Sequence, residues 1–122
     1  MPGQDELIEA GRAAVAAAAE QLASKEPGSD ADVLATAVRA GLKALAAKAP
    51  GRSVEVRVPP YGAVQCVAGT RHTRGTPGAV VETDPVTWVR LAHGDETFAA
   101  AVADGRVRAG GERSDLSALF PL

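Results

Sequence analysis

The chain has 122 residues, 46% of them hydrophobic and only 3% aromatic, enough for one domain with a buried core and little room for two. Its 13 Lys and Arg against 15 Asp and Glu leave a net charge of −2, which excludes a general nucleic-acid binder, since that class needs a clear basic excess. One cysteine, Cys66, excludes an internal disulfide framework and a cysteine-based zinc site.

Residues 6–24, "ELIEAGRAAVAAAAEQLAS", predict a helix: alanine has the best intrinsic propensity, and Ile8, Val15 and Leu22 recur at heptad spacing. The Ala-rich run lacks the basic leader of a secretory signal, because Asp5, Glu6, Glu9 and Arg12 precede it. No apolar run reaches the roughly 20 residues that a bilayer span needs. A cytoplasmic protein with no integral membrane association is expected.

"KEPGSD" breaks the helix, and Ser29 or Asp30 can cap a second one, "ADVLATAVRAGLKALAAKA", with Leu34, Val38, Gly41 or Leu42, and Leu45 on one stripe. Small alanine faces let the two helices approach closely as an antiparallel pair over residues 1–50. Past Gly51 the apolar period falls from 3.6 to 2. In "SVEVRVPP", Val54, Val56 and Val58 face one way, and Glu55 and Arg57 the other. "AVQCVAG" predicts a second strand with Val64, Cys66 and Ala68 on one face, and "AVVET" a third.

Asp84 before Pro85 starts a helix, with Trp88, Val89 and Ala92 on its inner arc, Thr87 and Arg90 turned away, and Gly94 closing it. Asp95 can cap a short helix, "ETFAAAVAD", whose inner face is Phe98, Ala101 and Val102. A strand at 106–109, a Gly110–Gly111 bend and a last helix begun by Ser114 or Asp115 complete the order. Two helices followed by β-β-β-α-α-β-α predict an α+β fold. The single domain 1–122 divides into the helical pair, 1–50, and the strands with their helices, 51–122.

The second half resembles the sterol carrier protein 2 family. "LAHG" at 91–94, "ADGRVRAGG" at 103–111 and "DLSALFPL" at 115–122 stand in that family's order and spacing. The combination "RVPPYGAVQC…GTRHTRGTP…VVETDPVTW" is similar to a small actinobacterial branch of the family. The resemblance covers roughly the last 70 residues. It implies a curved mixed sheet with helices on one face, an apolar cavity for a lipid-like guest, and a terminal helix that helps to close it.

Trp88, Leu91, Phe98, Val102, Leu116, Leu119 and Phe120 are the expected lining of that cavity, and a plain closed core is the alternative. Arg71, His72 and Arg74 stand among Thr70, Thr73 and Thr76. They suit a carboxylate or phosphate headgroup, because guanidinium forks onto two oxygens; a solvated loop is the alternative. His72 and His93 share no metal-ligand spacing, and no serine lies in a hydrolase motif.

The expected function is therefore carriage, without catalysis, metal or cofactor, of a fatty acyl, hopanoid or sterol-like molecule, since burial alone supplies about 0.8 kcal/mol per CH₂. The alternatives are an interaction module, pairing as a homodimer through the alanine faces, and an accessory domain of a thiol-dependent enzyme system.

Overall fold

The computed structural model describes residues 3–24, 31–69, 78–111 and 114–122. The capping pair Ser29 and Asp30, and the basic triplet Arg71, His72 and Arg74, lie outside the described residues. Helices α1 (Gln4–Ser24) and α2 (Ala31–Lys48) come first. Strands β1 (Val54–Val58), β2 (Gly62–Cys66) and β3 (Ala79–Thr83) follow. Then come α3 (Pro85–His93), α4 (Phe98–Ala103), β4 (Val107–Gly110) and one 3₁₀ turn, Ser117–Leu119.

The strands form one mixed sheet in the order β2-β1-β3-β4. β1 runs antiparallel to β2 and parallel to β3, and β3 runs antiparallel to β4. The alternation read from the sequence sets its two faces. Val54, Val56 and Val58 are buried in the core, while Glu55, Arg57, Gln65, Glu82 and Arg108 form a polar outer face laced by Arg57–Glu55 and Arg108–Glu82 ion pairs. β2 stops at Cys66, short of the expected Ala68. Val67 takes a φ of 64°, a left-handed conformation uncommon for a β-branched residue. Its amide donates to Ala49 O at 2.7 Å, and its carbonyl accepts from the Ser53 amide at 3.0 Å and hydroxyl at 2.6 Å. Gly51 has to be glycine beside it, since a Cβ there would lie 2.1 Å from the Val67 carbonyl carbon.

The helices pack on the apolar face. α1 lies against α2 and α3, and α2 against β2. Val15, Ala18 and Ala19 of α1 join Val38, Leu42, Ala44 and Leu45 of α2 in a core that continues through Trp88, Val89, Leu91 and Ala92 of α3. Gly11 permits the closest approach: a Cβ there would lie 2.4 Å from Ala44 Cβ and 2.8 Å from Ala40 O.

Among the described residues no helix is long and apolar enough to cross a membrane. Asp84 caps α3 as its sequence predicts: the Thr87 amide donates to Oδ1 at 2.9 Å and the Thr87 hydroxyl to Oδ2 at 2.7 Å. Thr87 is therefore turned inward and buried, against the expectation that it faces away. The cap of α4 is Thr97, whose Oγ1 accepts from the Ala100 amide at 3.1 Å, while Asp95 is taken by His93 Nδ1 at 3.1 Å.

No terminal helix forms. Asp115 accepts from the Ser117 amide at 3.0 Å and hydroxyl at 2.7 Å, one 3₁₀ turn follows, and Phe120 leaves extended at φ −106°, ψ 146°. Pro121 explains the arrest: it brings no N–H and biases the residue before it away from helix.

Candidate functional site

The seven apolar residues expected to line a cavity separate by depth. Trp88, Leu91 and Leu116 are each 1% exposed and Phe98 is 5% exposed, all within the core cluster. Leu119 and Phe120 are half-buried and pack on that cluster. Val102 stands out at 39% exposed. It lies one turn after Phe98, yet α4 has six residues and buries itself around Phe98 and Ala101, so Val102 falls at the rim.

Val102 overhangs an open groove of about 420 Å³, floored by Phe98, Ala99, Ala103 and Ala109 and edged by Ser114 and Asp115. Register explains its position. Ala109 pairs with Val81 and lies two residues after buried Val107, so it belongs to the inner face of the sheet. Ala109 is nevertheless exposed, and among the described residues an apolar strip remains open beside the core. The volume falls within the ~300–1,000 Å³ range of small-molecule sites. A second apolar hollow, between α1 and α2 at Ala14, Ala17, Asp32, Val33 and Thr36, holds about 260 Å³ and falls below that range.

Phe98, in the lining of the groove, belongs to a run of aromatic contacts. Phe98 stacks on Phe120 with centroids 6.1 Å apart, and Phe120 meets Trp88 edge-on at 5.7 Å. The edge of Trp88 fits against α2 where Gly41 has no side chain: a Cβ there would lie 2.9 Å from Nε1. Among the described residues the buried indole N–H has no hydrogen-bond partner, a state that costs on the order of 1–3 kcal/mol.

Main-chain contacts seat Phe120. The Leu122 amide donates to Ala92 O at 3.0 Å, Arg12 Nε donates to Leu122 O at 2.9 Å, and Lys48 Nζ donates to Leu119 O at 2.8 Å and Pro121 O at 3.0 Å. The final residues thus cross from α4 toward the helical pair.

Charge stays at the rim. Hydrogen bonds from the Ser117 hydroxyl and amide hold the Asp115 carboxyl below the usual carboxylate range. Arg106 is engaged by Glu96 at 2.5 Å and Asp104 at 3.0 Å, and these bonds push its pKa above the ordinary arginine value. Cys66 is fully buried, and loss of solvent raises its thiol to about 11, so it stays a neutral thiol near pH 7. Among the described residues no group of three His, Cys, Asp or Glu could hold a metal ion.

Sequence reasoning missed the small groove residues, Ala99, Ala103 and Ala109, because alanine carries no hydropathy signal of its own. The period-2 placement of Ala109 after Val107 was the available clue. Arg12 and Lys48 carried none, since their partners are main-chain oxygens distant in the chain.

A family model described as "Bacterial SCP ortholog" matches residues 30–122. No curated protein matches the chain.

Proposed function

Because the chain belongs to the family of bacterial sterol carrier protein (SCP) orthologs, we propose that it binds and carries a lipid-like molecule, hydrophobic or amphipathic, and performs no chemistry on it. The fatty acyl, hopanoid and sterol-like classes all suit a site that recognises shape and apolar area. One observation carries this reading: the groove is lined by Val102 and by Phe98, whose ring stacks on half-buried Phe120, which in turn meets Trp88 edge-on.

A guest lies along Ala99, Val102 and Ala109, displaces Phe120 and extends beneath it toward Trp88, Leu91, Leu116 and Leu119. The head-group role of Arg71, His72 and Arg74 rests on their charge alone. The chain works as one domain, in which residues 1–50 back the core that residues 51–122 open to the guest.

The test is direct. Organic extracts of the purified protein are analysed by mass spectrometry, and the protein is titrated with a fluorescent fatty acid. A stoichiometric lipid, or saturable and displaceable probe binding, is expected. Val102→Asp should weaken probe binding by about tenfold, since a carboxylate in an apolar groove must be stripped of water. Its melting temperature should hold, because Val102 is exposed. Folded protein that yields no lipid and binds no probe refutes carriage.

A further inference from the structure

The segment Leu119–Leu122 covers the aromatic rings without belonging to a sheet or a helix beyond its one 3₁₀ turn. Regular structure would tie its carbonyls into a cooperative ladder; here they are tied by two surface cations. Lys48, in the last turn of α2, takes the carbonyls of Leu119 and Pro121, and Arg12 of α1 takes that of Leu122. The oxygens on both sides of Phe120 are therefore held from the helical pair, while its ring sits between Trp88 and Phe98. Pro121 rests beside Gly94, the left-handed C-cap of α3, where a Cβ would approach the ring at 3.3 Å. Arg12 precedes the stretch that the family match covers.

We infer that Arg12 and Lys48 are positioning residues of the candidate site: they set how often Phe120 leaves its seat, and hence how fast a guest reaches the space beneath it. The second half of that statement rests on the carriage reading; the first stands on the contacts. The physical basis is the kind of bond involved. The two Lys48 bonds are solvent-exposed and the Arg12 bond is part-buried; exposed charged contacts are individually weak and screened, so those of Lys48 bias the segment without locking it. Opening the segment also breaks one main-chain bond, from the Leu122 amide to Ala92 O, and withdraws the buried Leu122 side chain from the core; local openings of a few residues still occur more often than global unfolding.

The amide of Leu122 reports the opening by hydrogen exchange without any lipid. In the double variant Arg12→Met, Lys48→Met, which keeps the apolar stems and removes the donors, exchange at Leu122 should rise roughly threefold to tenfold. Core amides of α2 around Leu42 should be unchanged. Capture of a fluorescent fatty acid should accelerate by a similar factor. The conservative pair Arg12→Lys, Lys48→Arg should restore slow exchange, which a purely steric role for the two side chains would not predict.

Unchanged Leu122 exchange in the folded double variant overturns the inference. If that variant is poorly folded, Lys48→Met alone decides, with unchanged exchange again negative. Faster exchange in protein that binds no probe leaves the latch standing and removes carriage. Unchanged exchange in protein that binds probe does the reverse.

Discussion

Asp84 shows how much one side chain contributes when its partners are local. Partial burial pushes its carboxyl up, but hydrogen bonds from the Thr87 amide and hydroxyl, and from the Asp84 and Val86 amides, outweigh that and leave the pKa below the ordinary 3.8. A carboxylate whose folded pKa is depressed stabilises the fold fully above its unfolded value, and that contribution is lost as pH falls through the folded value. Asp84→Ala should therefore cost about 0.5–2 kcal/mol at neutral pH. Urea titrations repeated from pH 7 to pH 3 should show the difference from the parent chain shrinking below the ordinary carboxylate value. A constant difference across that range would remove the charged cap from the account. Cys66 shows the opposite case: alternation in β2 put it on the face of Val64, the structure buries it, and burial alone accounts for its raised pKa.

Among the elements, the helical pair depends on the absence of side chains. Replacing Gly11 by alanine improves intrinsic helix propensity by about 1 kcal/mol. The added methyl would nevertheless meet Ala40 O at 2.8 Å and Ala44 Cβ at 2.4 Å, and a helix carbonyl has no rotamer by which to yield. Overpacking of this kind costs typically about 1–3 kcal/mol, so the clash decides the sign. Gly11→Ala should lower the melting temperature measured by circular dichroism; a rise would mean that α1 and α2 are not held this closely. Among the other elements, those bounded by strong local signals lie close to where the sequence predicts them. α3 has Asp84, Pro85 and Gly94, and β1 has clean alternation. The elements that differ are those for which local signals competed. At α4 the sequence suggested Asp95 as the cap where the structure uses Thr97, and at the chain's last residues an apolar spacing suggested a helix that Pro121 disfavours at Phe120.

At the scale of the molecule, Trp88 joins the parts. It touches the Gly41 position of α2 and Phe120 of the final segment, and it shares one core with α1, the sheet and α4. If the helical pair and the sheet are one cooperative unit, loss of helix and exposure of Trp88 must coincide. Denaturant titrations followed by far-UV circular dichroism and by tryptophan fluorescence should superimpose. Helix signal lost at a lower denaturant concentration than tryptophan burial would instead make residues 1–50 a separate folding unit.

By itself the sequence determined the α+β order, the two faces of the sheet, the caps and stops of α3 and the sterol carrier protein resemblance. Each of these is written in neighbours a few residues apart, through propensity, alternation and turn chemistry. Tertiary structure alone decided that Trp88, Leu91 and Leu116 lie fully in the core while Val102 overhangs a groove. It also decided that Ala109 is exposed and that Arg12 and Lys48 hold the last residues. Burial depends on what else fills the space, and a hydrogen bond between residues 110 positions apart leaves no trace in the local pattern of either one.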